Sequence, residues 1–199
     1  MSGAKCLLIC GSRKPAPGVD RPSAARELLK AVSTGVAEAG GEPDWFDLRE
    51  LDLPFFDGRD RHEYGSADLD RVAAAIEAAG AIVLSVPAYW SGPAGGVKNL
   101  LDLLGGAAYD QPPGTPTPLE GKVVALLVVG SDDQSAAVAR AQVQATLASM
   151  GAWTAPRAVV VANPRRVRSV DILLETLKEF GHYAAGLRAP EAGTVEAPA

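Results

Sequence analysis

Two cysteines and two histidines in 199 residues leave little material for thiol or metal chemistry. Cys6 and Cys10 share one short apolar run. If that run is a strand, four steps of about 3.3 Å part their Cα atoms by about 13 Å. A disulfide spans at most ~7 Å, so the two cannot pair with each other. They read as buried apolar fillers rather than as a catalytic thiol. His62 and His182 have no cysteine or carboxylate partners at metal-ligand spacing, which argues against a metal site. A Ser-His-Asp pattern is missing too, so neither histidine needs a catalytic role. His62-Glu63-Tyr64 reads as a solvated loop. Excess basic charge is absent: the formal net charge is −5, which speaks against a nucleic-acid surface. Arg165, Arg166 and Arg168 come nearest to a basic patch and read as a solvated loop before a helix. No apolar run approaches the ~20 residues needed to cross a bilayer. Met1 to Lys5 leads into the first apolar run without a signal-like cleavage site, so the expected compartment is the cytoplasm. There is no internal repeat.

What is present is an ordinary globular fraction of hydrophobic residues, 47%, and a strict alternation of two patterns. Five short runs read as strands: Lys5–Cys10, Glu42–Asp47, Ala81–Val86, Val123–Val129 and Ala158–Val161. The first, third and fourth are apolar on both faces, as in parallel sheets covered by helices. Between them lie one-sided apolar stripes of helical period: Ser23–Ala39, Leu69–Ala79, Gly95–Leu104, Gln134–Met150 and Val170–Leu187. The alternation predicts an α/β fold, a doubly wound five-stranded parallel sheet in three layers. One domain is expected over 1–188, with the Pro/Gly-rich Asp110–Pro118 as a surface loop. The Ala/Pro/Glu-rich tail 189–199 is expected to be disordered.

Ligands of open α/β sheets bind outside the carboxyl ends of the strands, where strand order reverses. The loop after the first strand, Gly11 to Ser23, carries the Ser12 hydroxyl, the adjacent cations Arg13 and Lys14 and a helix start, which together suit an anion. It is neither a Walker A loop nor a G-x-G-x-x-G turn. Capping of that helix by Asp20 or Ser23 is an equally natural and compatible use. After the third strand come Pro87-Ala88-Tyr89-Trp90-Ser91-Gly92, then Gly95 and Gly96. Tyr89 and Trp90 offer a platform for a flat aromatic ligand, and the glycines let backbone approach it. Ser85, Val86 and Pro87 stand where a response regulator needs an acidic residue, so that function is disfavoured. The loop after the fourth strand holds Asp132 and Asp133, read first as caps of the following helix.

Pro87-x-Tyr89 followed by Gly95 and Lys98-Asn99, running into Leu100-Leu101-Asp102-Leu103-Leu104, resembles the flavin-contacting segment of the NAD(P)H-dependent FMN reductases. Gly11-Ser12-Arg13 with Ser23, and Leu119 to Val124, are similar to that family's phosphate loop and its entry into the fourth strand. The likeness covers about Cys6 to Val161. It implies a flavodoxin-like fold and an enzyme that takes hydride from NAD(P)H onto FMN, then passes electrons to free flavin, a quinone or another small acceptor by a ping-pong route. By the same resemblance Ser12, Arg13 and Ser23 hold the FMN phosphate. Pro87, Ala88, Tyr89, Trp90, Ser91 and Gly92 lie along the isoalloxazine, and Ser131 meets the ring from the next loop. A homodimer or homotetramer is implied, with the Gly95–Leu104 stripe and the aromatics suiting the interface, and a flavin-dependent monooxygenase is among the implied partners. Three departures stand out: Pro15, Pro17 and Gly18 lengthen the phosphate loop, Asp132-Asp133 replace glycines, and Trp90 stands where many relatives carry Asn. The rival readings are a non-enzymatic flavodoxin-like electron carrier and a flavin-less binding partner.

Overall fold

A computed structural model describes residues 4–14, 22–106, 116–166 and 169–189. Pro15, Pro17, Gly18 and Asp20, most of the Asp110–Pro118 loop, Arg168 and the tail from 190 lie outside the described residues. The elements run β1 (Lys5–Cys10), α1 (Ala24–Glu38), β2 (Glu42–Asp47), α2 (Ala67–Ala78), β3 (Ala81–Tyr89), β4 (Gly92–Pro93), α3 (Gly95–Gly105), β5 (Val123–Gly130), α4 (Asp133–Ser149), β6 (Trp153–Thr154), β7 (Val159–Ala162) and α5 (Val170–Ala185).

The main sheet is parallel, in the order β2-β1-β3-β5, with β6 and β7 both paired to the far side of β5. It is the flavodoxin-like arrangement with its fifth strand in two pieces. Thr154 pairs with Val124 and Val159 with Leu127; Pro156, which has no N–H to give the ladder, lies in the gap. The periodicity-based strand Ala158–Val161 therefore covers only the second piece.

The double-sided apolarity of the central strands follows from the two layers they serve. On β1, Leu7 and Ile9 face a core shared with α2, α3 and α4, whereas Cys6, Leu8 and Cys10 face α1 and α5. Both cysteines are free, and burial pushes both thiols up to about 11, so they stay protonated at neutral pH. The stripe on α3 is spent within the chain: Val97, Leu100, Leu101, Leu103 and Leu104 are all buried in the core. This corrects the expectation that it suits a subunit interface.

The order reverses between β1 and β3, which neighbour each other, so the loops leaving their carboxyl ends part at one point of the sheet edge. Gly11 sits in that fork. Its N–H donates to the Ser85 carbonyl at 2.9 Å, and a Cβ on it would lie 2.4 Å from that same oxygen and 2.3 Å from Val97 Cγ2. Only glycine fits there, for lack of room rather than for its backbone angle.

Candidate active site

The loop after β1 is built inward. Ser12 is 1% exposed and its hydroxyl accepts the Lys14 N–H at 3.3 Å. Ser23 is also buried and caps α1, its Oγ accepting the Arg26 N–H at 3.2 Å, which settles the choice between Asp20 and Ser23. Arg13 and Lys14 are exposed cations beside this helix start. A buried arginine holds the loop from behind. Arg26 pairs with Asp47 at the end of β2 through Nε–Oδ2 and through Nη2–Oδ1 at 3.0 Å. It also donates to the carbonyls of Lys14 (3.0 Å) and Ser12 (3.2 Å). Its hydrogen bonds to Asp47 raise the guanidinium's already high pKa, so it is a permanent cation. Neither residue stands out as a site residue in the sequence, although Arg26 interrupts the buried stripe of α1; Asp47 is the last residue of the otherwise partly exposed β2.

β3 runs three residues beyond the expected Val86 and ends in a hairpin, with Ala88 opposite Pro93 and Tyr89 opposite Gly92. The two-residue turn between them is Trp90-Ser91, both left-handed, with φ of 52° and 59°. Tight hairpins with both central residues at positive φ favour Asn-Gly because such angles strain residues that carry a Cβ. Trp90 stands at the tip, fully exposed at 101%, so the expected two-ring platform is not formed within this chain. Tyr89 remains at the base, 42% exposed, with Lys14 Nζ 5.4 Å from its ring centroid. The turn's strain is measurable. Trp90→Asn and Ser91→Gly should each stabilise the protein by about 1 kcal/mol, read as a higher urea midpoint.

The two loops meet. A Cβ on Gly96, at the start of α3, would lie 3.4 Å from Arg13 Cδ, so the arginine stem runs across that helix start. The Lys98-Asn99 part of the segment does other work. Lys98 pairs with Asp102 at 2.5 Å, while Asn99 accepts from Phe56 N–H (2.9 Å) and donates to the Pro54 carbonyl (2.8 Å). Asn99 thus secures the loop that follows β2.

After β5, Asp132 is the cap of α4, as its position suggests. Its carboxylate accepts from the Ser135 N–H (2.8 Å), the Ser135 hydroxyl (3.0 Å) and the Ser131 hydroxyl (2.8 Å). Those hydrogen bonds, the Ser135 amide's first, hold its pKa below the ordinary carboxylate value. The folded pKa is depressed, so the cap stabilises above the unfolded value of about 3.9 and is lost as pH falls through the lower folded one. The difference in melting temperature between wild type and Asp132→Ala is therefore expected to be largest near neutral pH and to shrink in acid. Ser131 itself is exposed, with its hydroxyl turned to the Asp132 carboxylate.

Two cavities are present besides the junction of these loops. One, of about 480 Å³, is lined by Arg61, Glu77, Leu104 and Lys122 at the opposite edge of the sheet. The other, of about 630 Å³, lies between α1 and the β2 edge, directly behind the loop after β1, and its lining includes Arg26, Asp47, Lys30, Trp45 and Arg49. Among the described residues no group of three or more His, Cys, Asp or Glu is placed to hold a metal ion, and no helix is long and apolar enough to cross a membrane.

The flavodoxin-like sheet, with the loops after β1 and β3 meeting at its switch point, together with the family match places the chain in the class of flavin-dependent oxidoreductases. Within that class the chain belongs to the NADPH-dependent FMN reductase family, whose model matches residues 4–165. It is an NAD(P)H-dependent flavin oxidoreductase that uses FMN. No curated protein matches it in sequence. Among solved structures it is similar to an NADH:FMN oxidoreductase in its apo form, with a TM-score of 0.69 at 18% identity over 96% of this chain and 93% of that one. It is similar to the flavoenzyme NAD(P)H:(acceptor) oxidoreductase FerB from Paracoccus denitrificans, with 0.65 at 19% over 92% and 95%. It is also similar to a flavodoxin from the domain Archaea, with 0.56 at 11% over 91% and 96%. At these identities the likeness is one of fold.

Proposed function

We propose that FMN binds with its phosphate in the loop of Ser12, Arg13 and Ser23 and its isoalloxazine along Pro87, Ala88, Tyr89, Trp90, Ser91 and Gly92, with Ser131 bordering the ring. The observation that carries this reading is the meeting of the two loops, Arg13 across Gly96 and Lys14 over Tyr89. A phosphate and a ring of one ligand need such a junction. The residues fit the group. Ser23 accepts the Arg26 N–H, which leaves its own O–H available to donate to a phosphate oxygen. The α1 dipole and the exposed Arg13 and Lys14 favour the same negative charge. Tyr89 keeps a half-exposed face, and burial pushes its phenol pKa up, so it meets a ligand as a neutral hydrogen-bonding ring.

When bound, FMN supplies the redox chemistry, taking hydride from NAD(P)H and giving electrons to the acceptor. The chain contributes binding, orientation and field, and no side chain acts as a nucleophile. Asp132, engaged in capping α4, keeps its negative charge through three hydrogen bonds from neutral donors. The acceptor is a small molecule such as free flavin or a quinone; the name of the similar FerB enzyme, an NAD(P)H:(acceptor) oxidoreductase, is in keeping with this. We place the enzyme in the cytoplasm, as one domain over 1–188 that assembles as a homodimer or homotetramer and supplies a flavin-dependent monooxygenase or a free acceptor. Initial-velocity measurements with NADPH and a quinone test the route. Parallel double-reciprocal lines are expected, and converging lines would show that both substrates must be bound together.

A further inference from the structure

The buried charges behind the phosphate loop go beyond holding the chain together. Arg26 is 6% exposed and Asp47 4%. Two charges taken out of water recover little net stability from each other, and well-packed apolar side chains in their place often do as well. A pair of this kind is better explained by what it orients. The guanidinium reaches the carbonyls of both Ser12 and Lys14 while gripped on its other edge by the carboxylate. Asp47 is itself fixed, its Oδ1 accepting the Arg49 N–H at 3.0 Å.

In a trans peptide the C=O and the following N–H point in opposite directions, and the described chain has no cis peptide bond. With the Ser12 carbonyl drawn toward Arg26, the Arg13 N–H is turned away from the guanidinium. Arg26 also presents its own backbone N–H to Ser23 Oγ. The Arg26 side chain thus sets two of the residues assigned to the phosphate, Ser12 through its carbonyl and Arg13 through its peptide plane, while Ser23 is held by the backbone N–H of the same position, as an ordinary helix cap.

We propose that Arg26, locked by Asp47, is the positioning residue of Ser12–Lys14, turning the carbonyls of Ser12 and Lys14 inward and the Arg13 amide outward before the ligand arrives. This rests on the placement of the FMN phosphate in that loop. Riboflavin, which has the same ring without the phosphate, separates the two claims. The measurement is the dissociation constant of each ligand, by quenching of flavin fluorescence, for wild type, Arg26→Lys and Asp47→Asn, with a thermal melt of each apoprotein. Lysine keeps the charge facing Asp47 but carries its donors on a single atom, without the planar fork that reaches two carbonyls and a carboxylate on different sides; asparagine keeps the shape and loosens the grip. Wild type is expected to prefer FMN. Each variant is expected to bind FMN about tenfold more weakly, a loss of preorganisation, and riboflavin within about twofold of wild type. FMN binding unchanged in the variants, or FMN and riboflavin weakened equally in variants that still melt cooperatively, overturns the positioning role. A wild type that binds the two ligands alike overturns instead the placement of the phosphate.

Discussion

Gly11→Ala is expected to destabilise the protein by about 3 kcal/mol or more and to abolish FMN binding at concentrations that saturate wild type. The new methyl would lie 2.4 Å from the Ser85 carbonyl oxygen and 2.3 Å from Val97 Cγ2, with Pro87 Cδ at 3.3 Å. Val97 could move, but Ser85 is main chain of the central strand and cannot turn away without breaking the hydrogen bond it accepts from Gly11. The relief available is separation of the β1 and β3 ends, the fork from which both ligand loops start. Urea unfolding of the apoprotein measures the first effect and flavin fluorescence the second. An alanine variant with unchanged midpoint and unchanged FMN affinity would mean that the fork is looser than its geometry states.

The second large effect is expected far from the ligand, where α1 and α5 cross. A Cβ on Gly181 would lie 2.2 Å from the Val32 carbonyl oxygen, and one on Gly35 would lie 2.1 Å from that of Lys178. Two opposed effects must be weighed. Alanine in a helix interior gains up to about 1 kcal/mol over glycine. Overpacking costs typically about 1–3 kcal/mol, and its upper end applies where backbone meets backbone and no rotamer can yield. The clash wins, and Gly181→Ala should cost about 2 kcal/mol net. Forcing the helices apart also loosens Leu177 and Phe180 from Leu29, Val32 and Val36, all of the same core. Gly105 is the control. Its added Cβ meets only Met150 Cε, at 3.6 Å, so Gly105→Ala should stay within about 0.5 kcal/mol of wild type. The order of urea midpoints, with Gly181→Ala far below Gly105→Ala, is the result to look for.

Much of this architecture is legible in the residues alone. Leu7-Leu8-Ile9 and Val123 to Val129 are apolar at every position, a pattern left by strands covered on both faces. The caps Ser23 and Asp132 can be read because a short polar side chain ahead of a helical stripe has one common use. The hairpin cannot. Its turn residues are Trp90 and Ser91, where positive φ ordinarily selects glycine or asparagine, so local chemistry points to a loop. Nor can the edge strand's break, which depends on where Pro156 falls against β5. Arg26 and Asp47 are 21 positions apart and become partners only once α1 lies beside β2. The positions of Gly35 and Gly181 look, in a sequence, like weak points of helices, and their meaning appears only where two backbones touch. What escapes a linear reading in each case is a contact between distant segments. The local patterns themselves are sound.

The most direct test of the central claim is an absorbance titration of purified protein with FMN, followed by anaerobic addition of NADPH. Saturable perturbation of the flavin band and then its bleaching by NADPH is the predicted result. A flavin band that the protein leaves unperturbed, or a bound flavin that NADPH fails to bleach, would contradict it.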